Sequence, residues 1–180
     1  MLTIIIPSGE LWDEKREEFI LVKETILHLE HSLVSISKWE SIWCKSFFSM
    51  EEKTNEEVES YVKCMTITQN VRPEVYLCLT QENFMRINQY IEAPMTATTF
   101  FEDQNRRSGR RRITSELIYY WMTTLGIPWE AQKWHINRLL TLIRVFEEEN
   151  SPPKKMSQRE VINRYADLNA ARRKQLNSKG

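Results

Sequence analysis

The spacing of apolar residues along this chain changes character near residue 31. Leu2 to Ile6 is a β-branched run that stops at Pro7-Ser8-Gly9, a turn signal. Glu18 to Val22 and Thr25 to Glu30 are two further short runs of strand type. Together they predict a small antiparallel sheet at the N-terminus. From residue 32 onward the apolar positions recur at helical spacing. Ser37-Lys38-Trp39-Glu40 has the form of a capping box, in which the Ser oxygen accepts the third backbone N–H and the Glu reaches back. It predicts a helix start that places Trp39 and Trp43 on one side. Thr54-Asn55-Glu56-Glu57 repeats the pattern, and Val58, Tyr61, Val62 and Met65 follow at i, i+3, i+4 and i+7. Pro73 suits the first turn of a helix over Glu74 to Leu79. Thr80 caps a further helix carrying Phe84, Ile87 and Ile91, which Pro94 stops. Met95 to Phe101 reads as extended, and the polar loop DQNRRSGRRR follows.

The longest apolar stretch comes next. Ile113 to Phe146 reads as two helices joined at Gly126 and Pro128. Between Tyr119 and Trp134, 5 of 16 residues are aromatic against 11% for the chain, so this block is the richest in large contact surfaces. With Trp129 as origin and about 100° per residue, Glu130, Lys133, Asn137, Thr141 and Arg144 fall in one polar strip. The apolar residues, Trp134, Leu139 and Leu142 among them, fill an arc roughly 240° wide. A helix this apolar is surrounded on most sides. Either it is a central core helix, covered in part by Leu117, Ile118, Trp121, Met122 and Leu125, or part of the arc is a docking groove.

The expected architecture is therefore α+β and mainly helical. Residues 1–150 form one folded domain, with strands over 1–31 and a helical body over 32–150. Ser151-Pro152-Pro153 closes that body, because consecutive prolines cannot continue a helix. Ser157-Gln158-Arg159-Glu160 is another capping box, opening a semi-detached basic helix within 151–180.

Charge sharpens this division. Formal net charge is zero over 180 residues, which gives no general attraction to nucleic acid or membrane. Residues 151–180 nevertheless hold 8 Lys/Arg and 2 acids, leaving 17 basic and 23 acidic residues before them. A basic tail on an acidic body suits self-association, an acidic partner or phosphate. Arg172, Arg173 and Lys174 are its densest cluster.

Candidate chemistry is sparse. Cys44, Cys64 and Cys78 fit no disulfide framework and no zinc spacing, and read as reduced cytosolic thiols. His135 lies in the apolar arc without a Ser, Cys or acid tied to it by motif, and reads as a core histidine. His28 and His31 flank Glu30, but on a strand they point to opposite faces, which opposes shared ligation. No phosphate-binding loop, metalloprotease helix, calcium loop or nucleophile elbow is present. No catalytic residue, cofactor or metal is expected. The five arginines at 106, 107, 110, 111 and 112 favour phosphate contacts, but no aromatic or groove-reading helix accompanies them, so a solvated loop is expected. The N-terminus lacks a secretory signal pattern, and no apolar run approaches the roughly 20 residues that span a bilayer.

Several strings carry a resemblance: TILHLEHSLVSISKWESIW, YIEAPMTATTF, ITSELIYYWM with GIPWEAQKWHINRLLTLIRV, and the closing ARRKQLNSKG. From Thr25 to Gly180 the chain resembles a group of proteins from long-tailed, siphovirus-type bacteriophages associated with tail assembly chaperones. The resemblance implies a non-enzymatic role: coating the long helical tape measure protein and recruiting tail tube subunits during assembly. It also implies a location in the bacterial host cytoplasm, with weak retention or none in the finished virion. Such proteins are often made in two lengths by a programmed frameshift, and the Lys154-Lys155 pair allows an A-rich slip site. The residues expected to meet partners are Trp121, Trp129, Trp134 and Leu142 on the aromatic block, and Arg172, Arg173 and Lys174 on the tail. A tail structural or completion protein, and a small nucleic-acid-binding regulator using the Arg loop and tail, are the competing roles.

Overall fold

The computed structural model describes residues 1–13, 17–100 and 112–150, together with positions 162, 165, 166, 168, 169 and 172. It is α+β and mainly helical, with every described strand at the N-terminus. The chain divides into two compact units, Met1–Phe146 and Glu147–Gly180. Of the second unit, residues 147–150 and six later helical positions are described, all of them exposed.

The strands make a ribbon rather than a broad sheet. β1 (Leu2–Ile6) pairs antiparallel with β4 (Thr25–Leu29), and β2 (Gly9–Asp13) with β3 (Glu18–Val22). Leu2 faces Leu29 and Gly9 faces Val22, so one pairing offset runs through both halves. The chain thus forms one long hairpin, interrupted at Pro7-Ser8 and Lys23-Glu24. In the proximal half Ile4, Ile6, Leu27 and Leu29 are buried on one face, as a period of two requires. β2 is a strand where the sequence predicts a turn: Gly9 belongs to the turn signal, yet it also opens the strand. An added Cβ at Gly9 would stand 3.3 Å from Cys78 Sγ, so the close approach there favours glycine.

The helices follow their caps. α1 (Leu33–Trp43) starts at Ser32, whose side chain accepts from Ser35 N while Ser35 Oγ accepts from Ser32 N. The expected cap at Ser37 is corrected by five residues to Ser32, and Glu40 is released from the capping role assigned to it. α2 (Asn55–Met65) begins at the Thr54/Glu57 box as its sequence predicts. α3 (Pro73–Leu77) has Pro73 in its first turn and ends two residues short of the expected Leu79. α4 (Gln81–Glu92) is capped by Thr80 with Asn83 reaching back. Residues 95–100 form no strand, so the extended segment expected there pairs with nothing among the described residues.

The aromatic block departs most from expectation. α5 (Ser115–Thr124) ends in a Schellman motif: Ile127 N–H bonds Met122 O at 2.8 Å and Gly126 N–H bonds Thr123 O at 3.3 Å. Gly126 takes φ 66° there, a conformation glycine adopts without strain. The second helix does not start at Trp129. Trp129–Lys133 is a short 3-10 turn, Trp134 is extended, and α6 (Ile136–Asn150) begins only afterwards. The break is imposed by tertiary pairing, with Ser32 bridged to His135 and Ile136 N–H donating to His31 O at 2.7 Å. His135 then heads α6, accepting Leu139 N–H on its carbonyl and Asn137 N–H on Nδ1. The wheel drawn through Trp129 therefore holds only from Ile136 onward, where Ile136, Leu139 and Ile143 are the buried positions. The core of the first unit joins the proximal ribbon, α1, α2, α4, α5 and α6.

Candidate functional site

Sequence reasoning selects the aromatic block, and the structure distributes its residues over different environments. Trp129 is 57% exposed and meets Tyr119 edge-to-face with ring centres 5.4 Å apart. Tyr119 OH donates to Gln132 Oε1 at 3.1 Å, tying α5 to the 3-10 turn beneath that pair. Tyr120 beside it is 62% exposed. Trp134 is half-buried under the Arg138 guanidinium, which stands 4.5 Å from its ring centre. Trp121 and Leu142 are half-buried against the core. Arg172 is helical and exposed, while Arg173 and Lys174 lie outside the described residues. So do Arg106, Arg107, Arg110, Arg111 and the capping box at Ser157; Arg112 is exposed.

The distal ribbon is the surface that sequence reasoning misses. On β2 and β3 the apolar side chains occur at both parities, and hydrophobicity alone does not say which face is covered. Val22 is buried, and Leu11 and Ile20 are half-buried. The other face carries Trp12 at 52% exposure, Phe19 at 69% and Leu21 at 59%. Trp12 and Phe19 are cross-strand partners with ring centres 4.9 Å apart, so the face is held as a preformed aromatic pair. Ile5 and Ile26, a cross-strand pair on the proximal half, are each 52% exposed. No apolar–polar alternation marks this face in Glu10-Leu11-Trp12 or Phe19-Ile20-Leu21, and only the β2–β3 register shows it.

A cleft of about 1140 Å³ opens where α1 ends, lined among others by Glu40, Cys44, Lys45, Glu51, Arg112 and Glu116. Its charges are mixed and partly engaged. Lys45 Nζ lies 2.6 Å from Glu57 Oε1, and that hydrogen bond raises the ammonium and lowers the carboxyl from their usual values. Cys44, Cys64 and Cys78 are free, and burial pushes the Cys64 thiol up, away from the reactive thiolate.

The histidines sit in a buried polar cluster. His135 Nε2–H donates to the Tyr90 carbonyl at 3.0 Å while Nδ1 accepts from Asn137 N–H at 3.3 Å, an arrangement that fits only the neutral ring. Burial holds its pKa below the usual histidine value. His31 hydrogen-bonds Tyr61 OH through Nδ1 and packs edge-to-face on His135 at 5.0 Å. Burial, with the neighbouring His135, pushes His31 down to about 3. Tyr90 OH donates to Glu30 Oε1 at 2.6 Å, and burial raises its phenol well above normal. These groups bind one another across β4, α2, α4 and the start of α6. His28 is separate, with Nδ1 at 3.1 Å from Thr3 Oγ1 on the outer face of the ribbon.

Among the described residues no group of His, Cys, Asp and Glu is placed to hold a metal ion, and no helix is long and apolar enough to cross a membrane. Compared with protein-family models, curated proteins and solved structures, the chain shows no match.

Proposed function

We propose that this protein is a bacteriophage tail assembly chaperone, which binds the tape measure protein and recruits tail tube subunits while the virion is built. The observation that carries an interaction role is the aromatic face of the distal ribbon. Trp12, Phe19 and Leu21 leave apolar surface in water on a two-stranded element, where a folded monomer gains nothing from it. Exposed Trp129, set edge-to-face on half-buried Tyr119, supplies a second apolar contact surface, and Arg172 a charged one. Many modest contacts of this kind suit reversible binding of a long client. The choice of client follows from the resemblance of the Thr25–Gly180 strings to the phage group. The role is read as non-enzymatic: the two buried histidines are committed to hydrogen bonds that stabilise the fold.

Co-expression with the tape measure protein of the same phage is the test. The client should be insoluble alone, soluble with this protein, and co-purified in a complex that also retains tube subunits. A client that stays insoluble and uncomplexed overturns the reading. Stoichiometric presence of the protein in purified virions would instead support a tail structural component.

A further inference from the structure

The two halves of the ribbon treat their outer edges differently. In the proximal half both edges are closed. On β1, Asn83 Nδ2 donates to Ile5 O at 3.2 Å and Arg86 donates to Thr3 O at 3.0 Å, so α4 caps the free carbonyls. On β4, Ile67 N–H donates to His28 O at 2.8 Å, His28 N–H donates to Thr68 Oγ1 at 2.9 Å, and Glu30 N–H donates to Met65 O at 2.9 Å. The distal half lacks such cover on β2, whose outer edge takes no backbone hydrogen bond from any other described segment. Pro7, which has no N–H to offer, bounds that edge on the proximal side. The open edge is thus the five-residue strand Gly9–Asp13. Strand edges are normally blunted, and an unblunted one is a template for another strand.

The order of residues on β2 selects the occupant. Glu10 and Trp12 lie on the exposed face of the strand, Gly9 and Leu11 on the covered one. Opposed residues of an antiparallel pair share a face, so β2 can meet its own copy about Glu10, Leu11 or Trp12. Centring on Glu10 sets two carboxylates directly opposite, and centring there or on Trp12 leaves part of the strand unpaired. Centring on Leu11 pairs the whole strand, Gly9 with Asp13 and Glu10 with Trp12. We propose that two copies of this protein join edge to edge through β2, antiparallel and two-fold symmetric about Leu11, making one four-stranded sheet. Such an interface is self-complementary, as a two-fold dimer requires. Leu11, half-buried in one copy, packs on Leu11 of the second copy. On the exposed face Trp12 stands beside Glu10 of the second copy, and the two Trp12 rings meet on the diagonal, within reach of aromatic side chains. The Trp12–Phe19 pairs of both copies then form one aromatic row across the two-fold axis. Glu10 keeps its carboxylate in water, whereas stacking the same faces against each other would bury it. The chain carries no net charge, so its copies meet without long-range repulsion. So short an edge buries less than the roughly 1,200 Å² of a stable interface, which makes the dimer weak, with a Kd on the order of 10–100 μM. The pairing involves no client and goes beyond the chaperone reading.

The experiment uses the full-length protein alone, in sedimentation and hydrogen exchange from roughly 1 μM to 1 mM. Monomer should give way to dimer across that range, and amides within Gly9–Asp13 should exchange several-fold more slowly at the concentrated end. The register is read by cysteine cross-linking in a Cys44→Ser background, because Cys44 is exposed. Leu11→Cys should form an intermolecular disulfide under mild oxidation, since directly opposed Cβ atoms stand about 4.5–5.5 Å apart, close to disulfide reach. Glu10→Cys and Trp12→Cys, each on a diagonal from its own copy, should cross-link about tenfold more slowly. A monomer throughout the range overturns the proposal. So does a dimer whose β2 amides exchange as fast as in dilute solution, because the copies would then join elsewhere, and so does fastest cross-linking at Glu10→Cys or Trp12→Cys. Slowing of these amides only on addition of the tape measure protein, with the chain alone monomeric, overturns it in favour of a client strand. None of these results touches the chaperone reading, which the co-expression experiment tests separately.

Discussion

Glu40, buried near the end of α1, accepts the backbone N–H of Ser115 at 2.7 Å on Oε2 and that of Phe47 at 2.8 Å on Oε1. Ser115 is the first residue of α5, and Thr114 before it makes no side-chain cap. One carboxylate from α1 thus caps α5 from across the core, satisfying an N–H that has no partner inside its own helix. Glu40→Ala strands two backbone donors where water reaches poorly, at a cost of about 3 kcal/mol. Glu40→Gln keeps one acceptor and should cost about half as much. Urea unfolding of the two variants checks this, and an Ala variant as stable as the parent would show that α5 is capped by other means.

Leu139 and Trp129 separate core from surface within the aromatic block. Leu139 is fully buried, so Leu139→Ala should lose roughly 2–5 kcal/mol of stability. Trp129 keeps its Tyr119 contact but is mostly in water, so Trp129→Ala should cost only about 1 kcal/mol. Its effect should fall on partner binding instead. Calorimetric unfolding paired with co-purification of the tape measure protein distinguishes the two. Equal destabilisation by both substitutions would place Trp129 in the core.

The buried histidines give stability a pH dependence whose sign is fixed. His31 and His135 have pKa values below the usual 6.5, His31 at about 3, so the unfolded chain binds protons that the folded one refuses. The stability they confer is complete above pH 6.5 and is lost as pH falls from there toward 3. The slope is at most about 1.4 kcal/mol per pH unit for each ring. Urea midpoints at pH 7 and pH 5 should differ accordingly, while NMR signals of the His31 ring stay those of the neutral form at pH 5. A His31 resonance titrating near 6.5 would contradict the buried placement.

What the sequence disclosed was local, and what it withheld was tertiary. The Thr54/Glu57 and Thr80/Asn83 starts are decided within four residues, and so are Pro73 and the Gly126 stop. Ser37-x-x-Glu40 is a stronger local pattern than Ser32-x-x-Ser35, so the sequence points away from the true start of α1. The structure commits Glu40 to the remote Ser115 and Phe47 amides instead. The helix through Trp129 was broken by His31 and Ser32, residues remote in the chain that pair with 135 and 136. β2 was hidden inside a turn signal, and with it the Trp12–Phe19 face, since exposure depends on what packs against a strand rather than on its composition.

The C-terminal segment carries the final prediction. The buried apolar residues of the described chain run from Ile4 to Ile143, and none lies beyond. Ile162, Tyr165 and Leu168, the large apolar positions described in the second unit, are 65%, 63% and 48% exposed. At these described positions little buried area is lost, so removing residues 151–180 should leave thermal unfolding of the body nearly unchanged. It also deletes 8 of the 25 Lys/Arg and only 2 of the 25 acids, turning a neutral chain into one of net charge −6. A body of that charge should bind acidic surfaces of tail components more weakly, with the largest loss at low salt. The truncated and full proteins should unfold alike, yet only the full protein should restore tails to a phage lacking the gene. Collapse of the unfolding transition on truncation would make the basic segment part of the core, and full rescue by the truncated protein would deny it a role in assembly.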